Sequence, residues 1–262
     1  MSGSVNGLVR DPSLSATGAL VDGTKGGTVT SNTATGPSND FFNDGSQKAF
    51  YKFENDATDS LGTYNGTASS VSYVSGKYGQ AASFGDAKNI AVPPALTGAT
   101  AATFSFWVNP SATTPSVSFF GFNVPLWNAA YQRGFGFYYN YTAQGYGDGT
   151  STANNSFHIY NAGNTNSDIA VNVASTALNR SAWNHVAFVF AQPNLDIYVN
   201  GTKVGTATHA AWTKLTNFST TNTNWILGDT VYTANTSDAN FDNVRIFNRA
   251  LSASEITALS NE

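Results

Sequence analysis

Groups able to carry a reaction are scarce in this chain. It holds no cysteine, and its three histidines, His158, His185 and His209, stand far apart. That removes thiolate nucleophiles and leaves a poor donor set for zinc or copper. Hydrolysis of a glycosidic bond generally needs two carboxylates facing the scissile bond. The only glutamates are Glu54, Glu255 and Glu262, two of them at the C-terminal end and one far upstream. There is no Gly-x-Ser-x-Gly nucleophile elbow and no Gly-x-x-x-x-Gly-Lys phosphate loop. The expectation is a protein that is not an enzyme.

Rings are plentiful instead. Aromatic residues make up 13% of the chain and are densest over 119–148. Sugars stack their C–H faces on such rings and exchange hydrogen bonds with Asn, Asp and Arg. Trp127, Tyr131, Arg133, Tyr138, Tyr146 and Asp148 are therefore the candidate glycan-binding residues. Alternation over 133–141 sets Phe135, Phe137, Tyr139 and Tyr141 on a core face. Gly134, Gly136, Tyr138 and Asn140 fall on the other, where the glycines would leave a trough. The competing expectation for these rings is packing against a neighbouring strand or subunit.

The elements that would hold such a surface read as strands. In Thr103–Asn109, Phe104, Phe106 and Val108 share one face; Val186, Phe188 and Phe190 do so in 183–190, and Leu195–Val199 alternates likewise. Asn200-Gly201 has the composition of a type I′ hairpin turn, and Gln192-Pro193-Asn194 closes another hairpin. Trp107 and Trp183 fall in these runs and are expected to fill the space between two sheets; His185 is expected to be a satisfied structural histidine. One helix is legible: Ser252 and Glu255 fit a capping box, Leu251 and Ile256 its hydrophobic staple, and the helix should end near Leu259. The fold class expected is all-β, a two-sheet antiparallel sandwich with a short C-terminal helix.

Composition changes near residue 41. Residues 1–40 contain no aromatic residue and are rich in Gly, Ser, Thr and Asn, too little apolar area to build a core. This divides the chain into an extended arm, 1–48, read as an anchor, and a sandwich domain, 49–262. The start, Met1-Ser-Gly-Ser, has neither a basic nor an apolar stretch, so no secretory signal is expected. No run approaches the ~20 apolar residues of a membrane span. Only 11% of residues are charged and the net charge is −4, which argues against a nucleic-acid partner.

The order of segments resembles the laminin-G-like, concanavalin A-like jelly-roll domains. Tyr51-Lys-Phe-Glu54 with Asp59-Ser-Leu-Gly62 resembles their opening. Tyr73-Val-Ser-Gly-Lys-Tyr-Gly79 through Phe84 and Phe104-Ser-Phe-Trp-Val-Asn-Pro110 follow in order. Trp183-Asn-His-Val-Ala187 with Ile197-Tyr-Val-Asn-Gly201, and Phe241-Asp-Asn-Val-Arg-Ile-Phe247 through Ile256, complete the match. The resemblance implies a jelly roll that serves either glucanases or lectins. Glucanases of this fold carry Glu-x-Asp-x-x-Glu on one strand, and that motif does not occur here. The resemblance also implies a structural Ca²⁺, for which Asp59 and Asp242, with Asp56 nearby, sit in the matching segments; an Asx-type turn at Asp59 is the alternative.

Two function classes remain. A polar arm ahead of a lectin-like domain resembles bacteriophage appendage proteins in composition and layout. On that reading the chain is an outward-facing virion component, a capsid decoration, head fibre or tail appendage. Residues 1–40 would dock to other virion structural proteins, in symmetric multiple copies, with possible contact to cell-surface glycans. The alternative is an extracellular bacterial carbohydrate-binding or adhesion module; a glycoside hydrolase is a minor third.

Overall fold

The computed structural model describes residues 39–85, 88–96, 99–113, 116–122, 135–140, 155–161, 169–174, 176–191, 193–208, 225–228 and 238–262. Their strands form two antiparallel sheets. The first contains β1 (Gln47–Tyr51), β3 (Ser72–Ser75), β4 (Gln80–Phe84), β6 (Ala101–Pro110), β11 (Asn184–Ala191), β12 (Asn194–Val199), β13 (Thr202–Thr208) and β15 (Ala239–Phe247). The second contains β2 (Thr67–Ser69), β5 (Asn89–Val92), β7 (Ser116–Phe122), β8 (Phe135–Asn140), β9 (Ser156–Asn161), β10 (Ile169–Asn172) and β14 (Trp225–Gly228). The eight-stranded sheet runs β13-β12-β11-β6-β15-β4-β3, with β1 also on β15. The seven-stranded sheet runs β10-β9-β8-β7-β14-β5-β2.

Period-two alternation builds the core between the sheets. Phe104, Phe106 and Val108 of β6 and Val186, Phe188 and Phe190 of β11 are fully buried there, as are Leu195 and Ile197 of β12. Rings from the facing sheet meet them: Phe137 of β8 stacks on Phe188 with centroids 4.3 Å apart, and Phe119 of β7 lies 5.3 Å from Phe106. Each such pair adds about 0.5–1.5 kcal/mol beyond area burial.

A second apolar cluster lies on the other side of the eight-stranded sheet. Helix α1 (Ala253–Ser260) lays Ile256 and Leu259 on Ala187, Val189, Tyr198 and Phe247. Ser252 caps the helix with Glu255 in a complete capping box, and Leu251 is buried in the cluster. Phe41 and Phe42 pack there as well, and Arg249 bridges Asp44 at 2.8 Å and Glu255 at 2.6 Å. Segment 39–46 is thus fastened to α1 on the outer face. The Asn200-Gly201 turn forms as expected, both residues at positive φ (49° and 77°).

The outer cluster corrects one expectation. Trp107 does not fill the space between the sheets: it points to the outer face, 7% exposed, with its ring 5.5 Å from that of His185. Alternation about Phe106 and Val108 dictates this, and the ring is covered because Lys77 and Tyr78 fold over it. Trp183 precedes β11 and is only half-buried.

Candidate functional site

Of the six candidate glycan residues, Tyr138 is described. Trp127, Tyr131, Arg133, Tyr146 and Asp148 lie outside the described residues. Alternation in β8 places Tyr138 away from the core that takes Phe137 and Tyr139, and it is 9% exposed, so little of its surface meets solvent. Register surrounds it with polar positions: Tyr138 stands opposite Ser118 of β7 and His158 of β9, and Asn140 opposite Ser116 and Ser156. One row away, Gly136 stands opposite Gly121, two adjacent positions without a side chain. The paired glycine on β7 carried no signal in the sequence, because register between separate strands is set by tertiary pairing.

The carboxylates are engaged elsewhere. Asp59, 1% exposed, accepts four backbone N–H groups: Phe50 and Leu61 on Oδ1 at 2.8 and 3.0 Å, and Thr63 and Tyr64 on Oδ2 at 3.1 and 3.0 Å. Asp56 closes a two-residue turn onto the Thr58 N–H. Glu54 accepts the Gln80 N–H at 3.1 Å. Glu262 grips Arg245 through both oxygens at 2.5 Å, and Arg249 with Ser252 holds the Glu255 carboxyl down at about 2.

Asp242 is the exception. It sits on β15 just before an irregularity in its pairing with β6, where Asn243 takes φ 47° and resets the alternation so that Val244 faces the core and Arg245 faces out. Fully buried, Asp242 accepts the Tyr78 N–H on Oδ2 at 2.8 Å, while Oδ1 has no partner. Burial raises its pKa to about 6, against the opposing pull of backbone N–H donors led by Tyr78. The Gly76 backbone crosses so close that a Cβ there would meet Asp242 Oδ2 at 2.6 Å.

Asp242 begins a row across three strands, opposite Trp107, which is opposite His185. His185 shares a 2.8 Å hydrogen bond between Nε2 and Ser105 Oγ, whereas its Nδ1 is unpartnered, and burial lowers its pKa to about 3, helped by Arg245. The histidine is therefore neutral and structural, though satisfied at one nitrogen only.

These donors do not fit the calcium site suggested by Asp59 and Asp242. A cation at Asp59 would have to displace its four N–H donors, and the two aspartates serve different loops, 60–64 and 76–80. Among the described residues no group of three or more His, Asp or Glu side chains could hold a metal. Nor is any helix among them long and apolar enough to cross a membrane.

Comparison with known proteins agrees with the architecture. A family model described as the concanavalin A-like lectin/glucanases superfamily matches residues 84–257. No curated protein matches the chain. Among solved structures, domain 4 of AbnA, a GH43 extracellular arabinanase from Geobacillus stearothermophilus solved with arabinotriose, is 23% identical with a TM-score of 0.59; the match covers 82% of this chain and 98% of that one. The binding domain of Paraclostridial Mosquitocidal Protein 1 is 16% identical with a TM-score of 0.57, covering 82% of this chain and 52% of that one. The botulinum neurotoxin DC binding domain, solved with rat synaptotagmin II, is 16% identical with a TM-score of 0.55; 82% of this chain and 51% of that one are covered. The chain thus spans about half the length of these two toxin domains. At such identities the likeness is one of fold.

Proposed function

Because the chain belongs to the concanavalin A-like lectin/glucanase superfamily, we propose that it binds glycans without cleaving them. Residues 49–262 act as the recognition module and residues 1–48 as an arm that ties it to a larger assembly. One observation carries this reading: each glutamate has a structural partner. Glu54 holds the Gln80 N–H, Glu255 caps α1, and Glu262 is clamped by Arg245. Asp242 has the raised pKa of a general acid, but it is fully buried beneath the 76–80 turn and cannot meet a substrate.

The ligand contacts proposed are Tyr138 of β8 together with Trp127, Tyr131, Arg133, Tyr146 and Asp148. The likeness to a domain solved with arabinotriose supports a saccharide as ligand. The placement we favour is the outside of a bacteriophage particle, with residues 1–40 on other virion structural proteins and the copies arranged symmetrically. The low charge, the lack of cysteine and the ring-free polar arm support it. A second reading, an extracellular carbohydrate-binding or adhesion module, is favoured by the near-complete overlap with a domain of an extracellular enzyme.

A glycan array probed with the full chain and with a Trp127→Ala/Tyr146→Ala double variant tests the binding reading. The intact chain should retain a defined set of glycans and the variant should lose them. Equal binding by both would retire these contacts, and release of reducing sugar would retire the non-catalytic reading. Stoichiometric recovery in purified virions supports the first placement, and recovery from the culture medium as a secreted protein supports the second.

A further inference from the structure

Three residues that stand opposite one another across β15, β6 and β11 each carry a buried polar atom with no hydrogen-bond partner. These atoms are Asp242 Oδ1, Trp107 Nε1 and His185 Nδ1, on the outer face of the eight-stranded sheet. Asp242 and Trp107 are covered by the tip of the β3–β4 hairpin, Gly76-Lys77-Tyr78-Gly79, and His185 abuts Trp107. Lys77 Nζ lies 4.4 Å from the centre of a Trp107 ring, the Tyr78 ring meets the indole edge-on, and the Tyr78 N–H donates to Asp242. At the rim the Tyr78 hydroxyl donates to the Glu262 carbonyl and the Gln80 N–H to Glu54.

The two covers of this face are held by different forces. Helix α1 rests on an apolar cluster through Ile256 and Leu259, and lifting it would return that area to water at full hydrophobic cost. The tip is held by hydrogen bonds and a cation–ring contact, which water largely replaces, while the orphaned atoms beneath it gain hydration on opening. β3 ends its sheet, with β4 its one neighbour among the described strands. Glycines 76 and 79 flank the tip, Gly79 at φ 49°, and give it two pliant joints.

We infer that this tip is a lid that opens by itself, with α1 and the sandwich intact, and bares Trp107 with its two polar neighbours. The inference stands apart from the glycan-binding reading. Opening also hydrates Asp242 and so removes the burial that raises its pKa; the open state keeps no general acid.

The indole N–H of Trp107 reports the lid directly: with no hydrogen bond to break, its proton is kept from solvent by the cover alone. Hydrogen exchange by NMR on the full chain at constant pH is the test, with Trp107→Phe to assign this signal among the five tryptophans. Raising urea to about 1 M, below unfolding, should change the indole rate by less than about two-fold, while the Phe188 amide between the sheets accelerates at least about ten-fold. Ile246→Val, in the core, should speed the Phe188 amide about two- to ten-fold and leave the indole unchanged. Tyr78→Phe, which removes the rim bond to Glu262, should speed the indole about two- to ten-fold. An indole rate that tracks the Phe188 amide in urea and in Ile246→Val overturns the inference, since the ring would then meet water only on global unfolding. An unaltered indole rate in folded Tyr78→Phe also overturns it, because the tip would then not be the cover.

Discussion

Asp59 shows how one side chain can fix a loop. Its two oxygens collect four N–H donors from Phe50, Leu61, Thr63 and Tyr64, tying β1 to the following turn. In Asp59→Asn an amide NH₂ would oppose two of those donors. The expected cost is about 2–4 kcal/mol, a fall in Tm of roughly 5–15 °C, with glycan binding retained at a temperature where the variant is folded. Calorimetry with the array checks both halves. The pair Asp242 and His185 makes a second prediction. Asp242 holds its proton more tightly folded than unfolded, with a folded pKa of about 6, so its stabilising effect exists in acid and is lost as pH rises through that value. His185 is the reverse: with a folded pKa of about 3, it favours the fold at neutral pH and this is lost as pH falls. The two slopes oppose each other between about pH 4 and pH 6. Asp242→Asn leaves the histidine slope unopposed, so the fall in stability on acidification should steepen by up to about 1.4 kcal/mol per pH unit relative to the parent. Urea denaturation of both proteins across that range would expose a flat profile in the variant as a failure of this account.

The elements best foreseen were those with local signals. Alternation in β6, β11 and β12, the Asn200-Gly201 turn and the Ser252–Glu255 capping box each depend on residues a few positions apart, and each formed where its residues pointed. What escaped notice depends on distant partners. The tryptophan at 107 was assigned to the core because it is large and apolar, yet the outer face is apolar too once α1 and the 76–80 turn cover it. The β15 irregularity is another such feature: nothing around Asn243 announces it, because it exists only in the pairing with β6. It does carry a prediction. Asn tolerates the left-handed φ of 47° and β-branched residues do not, so Asn243→Val should cost about 1–2 kcal/mol and Asn243→Gly much less. Chemical denaturation of the two variants should separate them; equal stabilities would show that the backbone there relaxes. Of the candidate ligand surface, composition revealed the rings and the bare glycine on β8, while the opposing Gly121 emerged only when strands were paired.

At the scale of the molecule, the sandwich owes its cohesion to rings between the sheets, and segment 39–46 adds a fastening outside them. Within it Asn39 bonds Ser60 and Gln47. If the residues before Asn39 are the anchor, their removal should abolish incorporation into the assembly; co-sedimentation with the assembly checks this. Unchanged incorporation would remove the anchoring role of the arm. The fastening has a geometric corollary. Asp44 on Arg249 and Glu262 on Arg245 bring both extremities of the described chain to the back of the eight-stranded layer. Anything attached through segment 39–46 would meet the eight-stranded layer first and leave the seven-stranded layer on the far side.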